Sequence, residues 1–199
     1  NIRKNQEKEL TPSNSEAYEY FLKAQYEFEN RTNKEDIQIA IGFLKKAIKI
    51  DSTLIDARFL EGQIYQDTGE LENSYRIFKE ILKDTKNIEY RRWANQNIAI
   101  IYAYWFKYEK SNTCLDKILE EIKDDKHETA RILTNKGQNY DFMHKYNKAM
   151  DCFKKSIDIF KSIGDERCTR VTKFYIGNMY LVQGKLNLAR ENYLDALEI

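Results

Sequence analysis

Turn-forming residues are scarce in this chain: one proline and seven glycines in 199 residues, against roughly 12% in average usage. So few punctuators exclude a sandwich or barrel, whose many short strands need tight turns. An excess of one charge is missing as well, since 33 basic and 32 acidic residues leave a net charge of +1. Nothing in that balance draws the chain to nucleic acid or to acidic lipid. No apolar run approaches the ~20 residues that cross a bilayer. The stretch Asn1 to Leu10 is polar, without the core of a signal peptide, so the expected location is the cytoplasm. Cysteine is limited to Cys114, Cys152 and Cys168, odd in number and without a CxxC pair, which reads as reduced cytosolic thiols. The motifs GxxxxGK[ST], GxGxxG, HExxH and GxSxG are all absent. His127 follows Asp124 and Asp125, but adjacent acids lack the helical spacing of metal ligands, so a solvated turn is the reading there. His144 stands alone. The expectation is a chain with no catalytic residues, no metal and no cofactor: not an enzyme within these residues.

What is present is a repeat. A small residue recurs at Ala24, Gly62, Ala99, Gly137 and Gly177, at spacings of 38, 37, 38 and 40. Three residues after the last four stand Tyr65, Tyr102, Tyr140 and Tyr180. Twelve after them stand Ser74, Ser111, Ala149 and Ala189, and sixteen after stand Phe78, Leu115, Phe153 and Tyr193. In the first repeat Ala40, Leu44 and Ala47 take these places four residues late, after an insertion around Asn30 to Lys34. Residues three apart share a helix face. A Gly or Ala there admits a second helix closely, and the later small residue and aromatic answer from that partner helix. Each repeat therefore reads as a helical hairpin. Gly69 and Gly184 fall at its tight turn, with Phe106 and His144 in the equivalent places. Ser13-x-x-Glu16 and Thr32-x-x-Glu35 read as capping boxes opening the first two helices. Gly164-Asp165 breaks the chain before the fifth hairpin. Gly42, inside an expected helix, has no explanation in this scheme.

This pattern of Gly, Tyr, Ala and Phe resembles the tetratricopeptide repeat. The resemblance covers about residues 17–199 in five repeats (17–54, 55–91, 92–129, 130–169 and 170–199), after a polar linker or helix at 1–16. It implies an all-α, right-handed α-solenoid. The usual proline after the second helix is missing, with Ser52, Lys86, Lys123 and Lys161 in its place, and the longer spacing implies extended helices. The segment Ala17 to Asp51 is similar to the first repeat of bacterial signalling and regulatory proteins, in which such a region adjoins a cyclase, kinase or DNA-binding domain.

In this family the first helix of each hairpin lines a concave binding surface. Counting from the small residue places Phe21, Phe59, Gln96, Thr134 and Phe174 on it, then Gln25, Gln63, Ile100, Gln138 and Asn178, then Phe28, Gln66, Ala103, Asp141 and Leu181. Amides both donate and accept, which suits the backbone of an extended peptide. The competing reading is that they are ordinary exposed helix residues. The aromatic stretch Tyr102, Tyr104, Trp105, Phe106 and Tyr108 reads as core or repeat-interface packing. The functional expectation is a protein- or peptide-binding scaffold, the sensory region of a larger bacterial signalling protein, with an intracellular peptide receptor or a homo-oligomerising adaptor as alternatives. Apolar residues on the last helix, Leu188, Tyr193, Leu194, Leu197 and Ile199, point to a homodimer through the C-terminal end.

Overall fold

A computed structural model describes residues 12–122 and 124–197, with side chains from residue 15 onward. Among these residues there are ten helices and no strand. The fold is the helical-hairpin repeat expected of an α-solenoid. The chain forms two compact units that divide at Asn97/Ile98, inside the fifth helix.

The first unit holds α1 (Pro12–Glu29), α2 (Lys34–Ile50), α3 (Ile55–Asp67), α4 (Leu71–Asp84) and most of α5 (Ile88–Tyr104). Helices α1 and α2 form one antiparallel pair, α3 and α4 another, and α3 also packs on α1 and α2. Ala24, Ala40, Leu44, Ala47, Ala57 and Ile64 are fully buried in its core. The second unit holds the end of α5, then α6 (Tyr108–Glu121), α7 (Lys126–Phe142), α8 (Tyr146–Ser162), α9 (Glu166–Val182) and α10 (Leu186–Leu197). Helix α7 packs on α6, α8 and α9, and α9 on α10. Ala99, Leu115, Ile118 and Ile132 form one of its cores, and Ala149, Phe153, Ile176 and Met179 another.

The repeat register is steric. A methyl group built on Gly62 would stand 2.9 Å from the Phe78 ring. On Gly137 it would stand 2.5 Å from Phe153, and on Gly177 2.5 Å from Tyr193. Each glycine thus gives the facing helix room to seat the aromatic sixteen residues on. Ser74 completes the same contact in the first unit, its hydroxyl donating to the Gly62 carbonyl at 2.8 Å.

The turns share one geometry. Gly69, Phe106, His144 and Gly184 have left-handed φ values of 83°, 57°, 57° and 71°. The next residue's N–H reaches back to the carbonyl of Tyr65, Tyr102, Tyr140 or Tyr180 at 2.8–2.9 Å. This is the six-residue closure that satisfies a helix's last carbonyls. Phe106 and His144 adopt it without the freedom of glycine.

Helix starts depart from the expected ones. The Thr32/Glu35 box is shifted by one: Asn33 is the cap, its Oδ1 accepting from Asp36 N–H at 3.0 Å, while Asp36 Oδ2 accepts from Asn33 N–H and from Thr32 N–H at 2.7 Å. The shorter Asp36 carboxylate, rather than Glu35, reaches both amides. The expected Ser13 cap involves a side chain outside the described residues. Asn87, Asp125 and Asp165 bond the first-turn amides of Glu89, Glu128 and Cys168 at 2.9 Å. They precede α5, α7 and α9, which begin four residues before the repeat starts 92, 130 and 170 given by spacing alone. Lys161 lies inside α8, so this second helix does run on past the usual proline position.

Candidate functional site

Helix α7 carries the site. Ala130, Thr134 and Gly137 give it one buried face. Along it the Thr134 hydroxyl meets Ser156 Oγ on α8 at 2.7 Å and Thr172 Oγ1 on α9 at 3.2 Å, and Ser156 donates to the Ala130 carbonyl at 2.8 Å. Three buried hydroxyls satisfy one another and tie three helices together. Thr134 is thus buried with its hydroxyl taken up by its neighbours, and it also lines the smaller of two cavities beside α7.

On either side of α7 lies a cavity. The larger, of about 420 Å³, is lined by Ala99, Ile100 and Ala103 at the end of α5, by Ser111 and Leu115 of α6, and by Asn135, Gln138, Asn139 and Phe142 of α7. Tyr104, Phe106 and Tyr108 complete it. Tyr104, Phe106 and Phe142 are 61%, 79% and 60% exposed, so their rings stand at its mouth. Phe142 stacks on Tyr108 with ring centroids 5.5 Å apart. Deeper in, Asn139 Nδ2 donates to Ser111 Oγ and Asn112 Oδ1, both at 2.9 Å, which pins α7 to α6. No charged side chain is among the lining residues. The smaller cavity, of about 160 Å³, lies toward α9 between Thr134, Phe160, Val171, Thr172 and Tyr175. Asn135 and Gln138 line both cavities.

The expected groove residues fall into two groups. In the first unit Phe21 is half-buried against Tyr18 and the core. Gln25 donates to Glu29 Oε1 at 2.8 Å. Phe59 packs edge-on against Phe78 and Trp93, centroids 5.3 and 5.9 Å away, as part of an aromatic core. Gln63 is exposed and Gln96 half-buried. Gln66 has a buried Oε1 without a hydrogen-bond partner among the described residues. In the second unit Gln138 stands between the cavities. Asp141 is half-buried, and burial pushes its carboxyl above the ordinary carboxylate range against a smaller opposing pull from His144. Phe174 is 49% exposed and leans on Tyr193. Asn178 Oδ1 accepts from the Tyr193 hydroxyl at 2.7 Å, so this amide serves the α9–α10 hairpin.

Counting missed Asn135, Asn139 and Phe142, and it assigned Tyr104 and Phe106 to packing. The exposure of the last two puts their rings at the cavity mouth rather than in a core, although Phe106 still lies edge-on to Tyr108 of α6. The signal for the others was the amide density of Asn135, Gln138 and Asn139 within one helical turn. His127 pairs with Asp165 at 3.0 Å rather than with its neighbours Asp124 and Asp125.

Residues 90–162 match the family model described as tetratricopeptide repeat. No curated protein matches the sequence. Among solved structures, MamA 41-end from Desulfovibrio magneticus RS-1 is 15% identical over 95% of this chain and 96% of that one, with a TM-score of 0.72. The apo form of RapI is 18% identical over 96% of this chain and 84% of that one, with a TM-score of 0.72. A Rap protein complexed with Competence and Sporulation Factor is 21% identical over 92% of this chain and 53% of that one, with a TM-score of 0.70. At these identities what is shared is the fold.

Proposed function

For this chain of tetratricopeptide repeats, we propose a binding module whose second unit holds an extended peptide segment across α7. The observation that carries the reading is that Asn135 and Gln138 are common to two cavities of unequal size. Amides at that position hydrogen-bond a peptide backbone running across the helix, and the flanking cavities take its side chains. The larger cavity, apolar within and aromatic at its mouth, suits a bulky apolar or aromatic residue. Packed helices are ~8–10 Å apart, so the second cavity receives a smaller residue two or three positions along. The Rap structure solved with Competence and Sporulation Factor supports a binding role for this fold. On the same reading the module is the sensory region of a larger bacterial signalling protein, at work in the cytoplasm and without catalysis of its own.

A library of displayed linear peptides tests this directly. Selected peptides should share one bulky apolar residue. Their affinity should fall ~5- to 150-fold in the Asn135→Ala/Gln138→Ala variant, at roughly 0.5–1.5 kcal/mol per hydrogen bond. Ala103→Trp, which fills the larger cavity, should abolish binding. Salt should matter little at the larger cavity, which no charged group lines, so any salt dependence would report Arg131 at the smaller one. Failure to enrich any peptide, or equal affinity for the amide variant, rejects the reading.

A second contact is favoured by α10, where Leu186, Leu188, Leu194 and Leu197 are 65%, 40%, 42% and 77% exposed. Ile199 lies outside the described residues. Leu186, Leu194 and Leu197 share one face of α10, with Leu188 on the other side, and that face suits a second copy of the chain. Sedimentation velocity at rising concentration should show dimerisation that Leu194→Lys removes, and a monomer at every concentration argues against it.

A further inference from the structure

We propose that His127, Asp165 and Cys168 form a zinc-class transition-metal site joining the start of α7 to the start of α9. The three side chains offer one nitrogen, one oxygen and one sulfur, and these ligand atoms all lie within 4.8 Å of one another. His127 Nε2 is 3.0 Å from Asp165 Oδ2. Tetrahedral zinc, with bonds of about 2.0 Å to N and O and 2.3 Å to S, sets its ligand atoms roughly 3.3–3.6 Å apart. The His127–Asp165 pair is already close to that spacing. A mixed N/O/S set of borderline softness selects zinc over calcium or magnesium, which take oxygen alone.

Two of the ligands are already oriented. Asp165 caps α9, its Oδ1 accepting from Cys168 N–H at 2.9 Å, which leaves Oδ2 to face the imidazole. The His127 ring lies edge-on to Phe160, centroids 5.7 Å apart. Supports of this kind fix the orientation of metal ligands. Burial, and after it the Asp165 carboxylate, push the Cys168 thiol above its ordinary value against a smaller opposing pull from Arg167 and Arg131, so an ion taken up here displaces the thiol proton. Three protein ligands leave a fourth position open. Cys168 and Phe160 also line the smaller cavity, so the ion would stiffen one of its walls. The two readings are tested separately, because the metal is read on Cys168, His127 and Asp165 and the peptide on Asn135 and Gln138, although Cys168 lines the smaller cavity.

The test uses the full, reduced chain with Co2+ as a probe, then Zn2+. One equivalent of Co2+ should give a thiolate-to-cobalt charge-transfer band that Zn2+ displaces, and Zn2+ should raise the melting temperature. Cys168→Ser and His127→Ala should each lose the band, while Cys114→Ser/Cys152→Ser keeps it. Asp165→Asn preserves the helix cap and should weaken binding at least 10-fold. Far-UV circular dichroism checks the fold of each variant. A measurement free of variants accompanies them: Zn2+ should slow alkylation of Cys168 in the wild-type chain and leave Cys114 and Cys152 unchanged. No charge-transfer band, a band that survives Cys168→Ser, or alkylation of Cys168 indifferent to Zn2+ overturns the proposal.

Discussion

His144 holds a left-handed backbone, φ 57°, where the turns at Gly69 and Gly184 use glycine. A side chain in that region costs about 1–2 kcal/mol, and glycine recovers it at an unfolded-state cost of about 0.5–1 kcal/mol. His144→Gly should therefore raise stability by about 0.5 kcal/mol in urea denaturation, even with the loss of the exposed contact from His144 Nδ1 to the Tyr146 hydroxyl. The opposite change, Gly69→Ala, should lower it by about 0.5–1 kcal/mol. Equal shifts of the same sign would mean that the turns tolerate either residue. Gly42 is the control. It sits mid-helix in α2, and a methyl there meets nothing within 4 Å. Gly42→Ala should stabilise by about 0.5–1 kcal/mol, and a loss would reveal a neighbour for that methyl.

The helical hairpin is the scale at which the sequence was most legible. Gly137 and Phe153 announce each other sixteen residues apart because the contact is a fixed property of two helices and a short turn. Gly137→Ala forces a methyl to 2.5 Å from a fully buried ring, at a cost of about 1–3 kcal/mol. Combining it with Phe153→Leu should lose less than the two single changes together. Additive losses, read from denaturant midpoints, would mean the ring moves aside freely. The site was less legible, for a physical reason. Counting from Gly137 and Gly177 gives the direction of a side chain but not what a third helix does with it. Thr134 is directed toward the groove by count and does line the smaller cavity, yet Ser156 and Thr172 arrive from α8 and α9 to take up its hydroxyl. Asn178 is claimed by Tyr193. Tyr104 and Phe106 stay largely exposed at a cavity mouth shared with Tyr108 and Phe142, which aromatic character alone suggests least. Caps lay between these extremes: the Asx residues are visible in the sequence, but the choice between Thr32 and Asn33 rests on side-chain reach.

At the scale of the molecule, two compact units imply two partly independent melting events, since repeats draw stability mainly from neighbours. The two tryptophans make this measurable. Trp93 lies in the aromatic core of the first unit, and Trp105 packs on Tyr102 in the second. Trp93→Phe and Trp105→Phe leave one reporter each. Their fluorescence midpoints in urea should differ from each other, and coincidence with circular dichroism in both variants would make the chain all-or-none. The caps at Asp125 and Asp165 have a further consequence for cutting and splicing. They are equivalent starting points of α7 and α9, both 17 residues long, so deleting 125–164 removes one whole hairpin and lets Asp165 begin a helix where Asp125 did. Circular dichroism should find the shortened chain still helical. It should also be unable to bind peptide or metal, because the excised hairpin takes with it Asn135, Gln138 and His127. The architecture divides at its caps, and the excised hairpin carries only part of each proposed site: the α5 and α6 lining of the larger cavity and the ligands Asp165 and Cys168 stay behind.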